Sequence, residues 1–546
     1  MEKQDLNNFS ALNVLIIDDH SLVHHTIKNT LAELGVQNIV SAENAYYAIR
    51  LCEKTRFHVV ICAFNVKSDK DGFHLLEELK FKGYVNKRTV LIFLSADTEE
   101  TLVNGIVELQ PDDFWVKPLS PKSIKERLAY ILEVKKTLFN VYEAFDKNEY
   151  SKAIYYVERH LLNNKLHKYH LNLMRMKGDS LLNLREFTEA ETFYEALLEL
   201  HKYSWMYVGY AKSLIKQNKI DEISELLQKM QDKPDTRFAT YDLLAEHYID
   251  QQDYENAYDV IKKATKLSPR NIERNKKFWD LARLNHDHEG QFKATQAMAR
   301  IAKNSVHDSP DLTLNVIRAG IDFASTLPEE SSKKILRQVE HSIHELEGQA
   351  QSASQLKEQI FITKARVFNL KNERDLAERL VDAHVSLKAK PSLEDNLDKV
   401  KVFHELGKRE EALVLLESVQ KQITGDNLTG QVVSRYIEQE LKACSEIHFT
   451  AKQLNEMAIE YFNKSRFEAS INSLNQALML TPKNARVMLS ILKVLVVIHR
   501  KDGLDTDQRE TANEIVDLLG SSKLNEKQFK TFKSLEQELQ GIISVS

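Results

Sequence analysis

Between residues 10 and 135 the hydrophobic pattern switches repeatedly between two periods. Residues 14–18 form a continuous apolar run ending in acid, the pattern of a strand buried on both faces. Leu22, Ile27, Leu31 and Leu34 then follow helical spacing until Gly35 stops it. A strand over residues 38–41, a helix over 45–52 and a strand over 58–64 come next. Asp71 and Gly72 open a helix carried by Leu75, Leu76 and Leu79. A strand over 90–94, a helix over 99–109, a strand over 114–116 and a helix over 121–132 complete the series. Ser120 is the expected cap of that last helix, and Pro121 sits in its first turn. Five such units predict an α/β doubly wound fold, a five-stranded parallel sheet with helices on both faces.

From residue 137 onward the strand patterns stop, and amphipathic helices repeat with a period of about 34. The clearest unit covers residues 238–271. Tyr241, Leu244, Ala245 and Tyr248 line its first helix, Tyr254, Ala257, Ile261 and Ala264 its second, and Pro269 ends it. Looser units run through Gly178, Leu181, Phe187, Ala190 and Tyr194, then through Tyr207, Ala211, Leu214, Ile220 and Leu227. A late unit contains Leu454, Ala458, Tyr461, Phe467, Ala477 and Pro482. These units resemble the tetratricopeptide repeat (TPR), a helix–turn–helix unit of that period. The resemblance implies an all-α superhelical solenoid whose units bury their apolar faces only by stacking. The expected divisions are residues 10–135, repeats over 137–304, irregular helices over 305–356, degenerate repeats over 357–484 and a helical cap over 485–546.

Composition agrees with this division. The 546 residues include only 15 Gly and 9 Pro, well under the usual shares of about 7% and 5%. Short turns between long helices need few of either. The net charge is −5, with 16 basic and 19 acidic residues in 1–135 and 59 against 61 in the remainder. Neither part has the basic excess that binding a phosphate backbone requires, so nucleic acid is an unfavoured partner. Cys52, Cys62 and Cys444 are too few and too scattered for a disulfide framework or a zinc site. With no apolar signal at the start and no membrane-length apolar run, the expected setting is cytoplasmic.

In a doubly wound sheet, functional groups gather at the carboxyl ends of the strands. Here those are Asp18 and Asp19, Ala63 and Asn65, Ser95, and Lys117 with Pro118. The acid pair, the Ser95–Ala96 pair and the Lys117–Pro118 step resemble the CheY-like receiver domain of two-component response regulators over residues 10–135. The resemblance implies that Asp18, Asp19 and the Asn65 backbone carbonyl hold Mg²⁺. It also implies that Ser95 and Lys117 contact a phosphoryl group and that Phe114 is an aromatic switch; packing without a switch is the other reading of Phe114. The family's phosphoacceptor is an aspartate where this chain has Ala63. A methyl group accepts no phosphate and removes one carboxylate from the metal site, so any Mg²⁺ affinity is weakened. Asp69 and Asp71 follow in the next loop and helix start, and neither is an obvious substitute. Ala63 has two readings, a natural pseudo-receiver that signals by binding alone or an engineered replacement of a working acceptor.

Other features have plain structural readings. His20, His24 and His25 read as exposed or capping residues of the first helix, although they cluster near the acids. Lys262, Lys263, Lys266, Lys276 and Lys277 are interleaved with Glu273 and Asp280, as on a solvated face. Trp205 and Trp279 read as packing between helices. No phosphate loop, nucleophile elbow or metal-ligand spacing occurs in the repeats, so the chain is not expected to be an enzyme. The expected function is a response regulator acting through protein–protein contacts. Its receiver would face a sensor histidine kinase or another receiver-binding protein, and its TPR solenoid a protein or peptide effector. Homodimerisation through residues 99–132 is a further use. A phosphorylation-independent kinase inhibitor or scaffold is the alternative, and an RNA-binding helical-repeat regulator a weaker one.

Overall fold

The computed structural model describes residues 9–66, 70–97, 99–327, 329–349, 354–371, 373–420, 428–446, 451–480, 484–521, 524 and 526–539. Asp69, Pro482 and the Cys444 side chain lie outside what is described. The chain forms two compact units, residues 1–275 with 300–309, and residues 276–299 with 310–546.

The first unit begins with five strands, β1 (Asn13–Ile17), β2 (Asn38–Ala42), β3 (Val59–Ala63), β4 (Val90–Ser95) and β5 (Asp113–Val116). All pairings are parallel, in the order β2-β1-β3-β4-β5. Helices α1 (Ser21–Glu33), α2 (Ala45–Lys54), α3 (Gly72–Phe81), α4 (Glu100–Glu108) and α5 (Pro121–Thr137) connect them. The strands alternate between two cores. Val14, Ile16, Val59, Ile61 and Ala63 pack with Ile27 and Leu31 of α1 and Ile124 and Leu128 of α5. Leu15, Ile17, Val60 and Cys62 pack with Ala48 of α2, Leu75 and Leu76 of α3, and Leu102 of α4. A strand buried on both faces must be apolar at every position, which explains the unbroken runs.

Paired helices follow. Within the first unit these include the helices His170–Asn183, Phe187–Leu200, Ser204–Ile215, Pro234–Asp250 and Tyr254–Leu267. The turns explain the shortage of glycine. Arg185, Asn218, Gln252 and His286 take left-handed φ values of 62, 60, 59 and 49° at the helix ends, where glycine is the commonest choice. Their spacing of 33, 34 and 34 residues is the repeat period written in the backbone. Glycine is needed elsewhere. A Cβ on Gly178 would lie 2.3 Å from the Tyr194 hydroxyl, and one on Gly209 would lie 2.2 Å from its ring. The buried Tyr194 ring therefore occupies the gap that two missing side chains leave between neighbouring helices. Trp205 meets the same ring edge-on at 6.2 Å, as packing requires.

In the second unit, Pro310–Thr326 and Glu329–Gly348 are two long helices within the segment expected to hold helices off the repeat spacing. Its interior is ionic as well as apolar. Arg366, at 2% exposure, meets Asp322 at 2.6 Å, Asp398 at 2.7 Å and Glu405 at 2.6 Å. Arg318 meets Asp395 at 2.6 Å, and Lys401 meets Asp322 at 2.6 Å. Fully buried Lys399 pairs with Glu358 at 2.8 Å and donates to the carbonyls of Ser386 and Lys388. Burial raises the Asp322 carboxyl, but Lys401 and Arg366 outweigh it and hold it below the usual range; burial lifts Glu405 above its usual value. Asp280 departs from the expected solvated face. It is buried and meets Arg283 at 3.5 Å, whose guanidinium stands 3.7 Å over the buried Trp279 ring.

Candidate functional site

The sheet order reverses between β1 and β3, so the helices leaving these strands go to opposite faces and open a crevice at their carboxyl ends. Asp18 and Asp19 follow β1, Ala63 ends β3, Ser95 ends β4 and Lys117 follows β5. All five expected positions therefore lie along one edge. Asp18 is fully buried, and Lys117 Nζ lies 2.7 Å from its Oδ2. The His20 backbone N–H donates to Asp18 Oδ1 at 2.9 Å. The His20 ring lies 3.0 Å from Asp19 Oδ1. The Ser95 hydroxyl accepts from the Asp97 N–H at 3.0 Å, and the Lys117 N–H donates to the Ser95 carbonyl at 2.9 Å. Asn65 is exposed just beyond β3.

These residues fit a small divalent cation. Ligand atoms of Asp18, Asp19 and His20 lie within 4.8 Å of one another, and the carboxylates are the hard oxygen donors that Mg²⁺ takes. Buried Ala63 contributes no side-chain oxygen, so the carboxylates at this edge are those of Asp18 and Asp19. Asp71 is committed elsewhere. It caps α3 by accepting from the His74 N–H at 3.0 Å and pairs with Arg270 at 2.7 Å. Burial pushes its carboxyl up, but the His74 hydrogen bonds and the charges of His74 and Arg270 prevail and hold it at about 2. The nearby thiols are inert, since burial pushes Cys52 to about 12 and Cys62 higher still.

Two expectations need correction. His24 is neither exposed nor a cap. It is buried, with ring Nε2 2.7 Å from the Asp18 backbone carbonyl, and it braces the acid turn. Its spacing to the buried Ile27 and Leu31 was a readable signal for this. Ser120 occupies the cap position of α5 but makes no side-chain capping bond. Phe114 is half-buried and stacks on Phe93 with centroids 6.1 Å apart.

Sequence reasoning missed the contact between α3–α4 and the repeats. Arg270 pairs with Asp71, Asn271 donates to Glu108 at 2.6 Å, and Arg274 meets Glu108 at 2.9 Å and Asp242 at 2.5 Å. Asn104 donates to the Leu267 carbonyl at 3.2 Å. No local pattern announces such contacts, because Arg270 and Asn271 follow Pro269 in a turn. The contact also narrows the dimerising use of residues 99–132. One side of α4 is already covered by the chain itself, while Val116 and Tyr130 remain exposed.

The response regulator receiver domain family matches residues 14–129, and the tetratricopeptide repeat family matches residues 238–271. The chain is 25% identical over 122 residues to the chemotaxis protein CheY-3 of Vibrio cholerae, covering 22% of this chain and 92% of that protein. It is equally identical over 122 residues to the chemotaxis protein CheY1 of Helicobacter pylori, covering 97% of it. The solved structure of CheY4 of Vibrio cholerae matches at 22% identity and a TM-score of 0.21, over 22% of this chain and 98% of that one. Residues 14–129 are a response regulator receiver domain, and the same polypeptide carries a tetratricopeptide repeat at residues 238–271.

Proposed function

We propose that the chain is a two-component signalling adaptor that works by binding rather than catalysis. Its receiver is the input module for a sensor histidine kinase or another receiver-binding protein, and its repeats are a scaffold for a protein effector. The observation that supports this reading is that Asp18, Asp19, Ser95 and Lys117 stand at strand ends along the same edge as Ala63, with Lys117 2.7 Å from Asp18. Mg²⁺ held by Asp18, Asp19 and the Asn65 carbonyl would neutralise charge at the strand ends. His24 and the His20 N–H fix the acid turn, and Lys117 supplies the opposing charge. With a methyl group at the acceptor position, the chain stays in its unphosphorylated state. A cytoplasmic setting is consistent with this role, and no described helix is long and apolar enough to cross a membrane.

The test is labelling by radioactive acetyl phosphate, paired with affinity measurement against the cognate kinase. The chain with Ala63 should stay unlabelled yet bind, and Ala63→Asp should become labelled. Labelling of the Ala63 chain, or steeply salt-dependent RNA binding in place of kinase binding, would refute the reading.

A further inference from the structure

We propose that Arg270, in the repeats, is a positioning residue for the loop that completes the receiver's metal site. The inference rests on the reading of Asp18, Asp19 and the Asn65 carbonyl as that site. The loop leaves β3 at Phe64 and enters α3 at Asp71 and Gly72, and Arg270 grips both ends. Its Nη1 lies 2.7 Å from Asp71 Oδ2. Its guanidinium carbon stands 5.1 Å from the Phe64 ring centroid and 5.6 Å from that of Phe73, within the range of cation–π attraction.

The backbone beneath has no slack. The Gly72 N–H donates to the Phe64 carbonyl at 2.7 Å, and a Cβ on Gly72 would lie 1.8 Å from the Ala63 carbonyl oxygen. The first turn of α3 is thus pressed against the end of β3. Phe64 and Gly72 are thereby joined directly, and Arg270 bears on Phe64 and on Asp71 beside Gly72. Arg270 is itself held by flanking contacts, with Asn271 on Glu108 and Arg274 on Glu108 and Asp242. A side chain 199 positions from Asp71 therefore bears on where the Asn65 carbonyl sits. Binding free energies are reciprocal, so a cation at Asp18 and Asp19 tightens the seat of residues 267–274 by the factor that Arg270 lends to the cation.

The probe is Mn²⁺, followed by electron paramagnetic resonance on the full chain. Arg270→Ala, Arg270→Lys and Asn104→Ala are compared, each with Ala63 and with Ala63→Asp. Arg270→Ala should weaken Mn²⁺ binding by about tenfold, the low end of what loss of a support behind a metal ligand costs. Arg270→Lys keeps the charge but not the planar stack and should lose less. Asn104→Ala loosens the same contact without touching Phe64 or Asp71, and should stay within about twofold of the parent. In metal-free hydrogen exchange, peptides containing Phe64 and residues 71–75 should exchange faster in Arg270→Ala. Mn²⁺ binding unchanged by Arg270→Ala, or weakened equally by Asn104→Ala, overturns the proposal alone. Absence of Mn²⁺ binding in both backgrounds overturns the metal reading and the proposal together.

Discussion

Replacing Ala63 with Asp puts a third carboxyl among the strand ends. Ile17 pairs with Cys62 in register, so residue 63 and Asp18 emerge side by side from β3 and β1. Adjacent strands lie about 4.8 Å apart. Two carboxylates at about 5 Å repel by about 3 kcal/mol at an effective dielectric of about 20. Lys117 already faces Asp18 at 2.7 Å, and one ammonium cannot fully satisfy two acids. Partial sharing and partial protonation leave a loss of about 1–3 kcal/mol without metal, or several degrees in melting temperature for a domain of this size. Mg²⁺ at about 100 times its Kd returns about 2.7 kcal/mol. The assay is thermal unfolding of both proteins in chelator and in saturating Mg²⁺. Ala63→Asp should melt below the parent in chelator and gain more from Mg²⁺ than the parent does. If the variant's melting temperature ignores Mg²⁺, or matches the parent's in chelator, the account of the crevice is wrong.

Three further outcomes are expected. Arg366→Met should destabilise the second unit by about 3–5 kcal/mol, since it removes a cation shared by three interior carboxylates, of which Asp322 keeps Lys401 and Asp398 keeps Arg318 while Glu405 loses the guanidinium it faces; an unchanged urea midpoint would contradict this. Gly209→Ala should cost about 1–3 kcal/mol by driving a methyl group into the Tyr194 ring, and a neutral melting shift would show that the repeats can yield there. Asp71 titrates at about 2, below its ordinary 3.8, so its stabilising contribution is present above about pH 4 and lost as pH falls toward 2. Subtracting the acid-unfolding profile of Asp71→Asn from the parent's should leave a step of about 1–2 kcal/mol in that window, and identical profiles would remove the role assigned to its partners.

The receiver's central strands β1, β3 and β4 were readable because a strand covered on both faces is nearly all apolar. The repeats were readable from small and aromatic residues at helical spacing, such as Ala190 and Tyr194. The ionic interior of the second unit was not readable. Arg318 and Asp322 sit one helical turn apart among Leu314, Ile317 and Ile321, and in a linear pattern they look like surface charges. Only partners on other helices, Asp395 and Arg366, show that they are buried. Asp280 and His24 were misplaced for the same reason, since a polar side chain joins the core only where folding supplies its partner.

By itself the sequence determined the alternation of five strands and helices, the repeat period and a methyl group in place of any acid at residue 63, the end of β3. These are properties of neighbouring residues or of fixed strand ends, and local periodicity carries them. Tertiary structure decided that Lys117 turns onto Asp18, that His24 braces the acid turn, and that Arg270 reaches back to Asp71. Each of these contacts depends on the path of the chain through space. A hydrogen bond or ion pair of under 3 Å between distant residues leaves no periodic trace along the sequence.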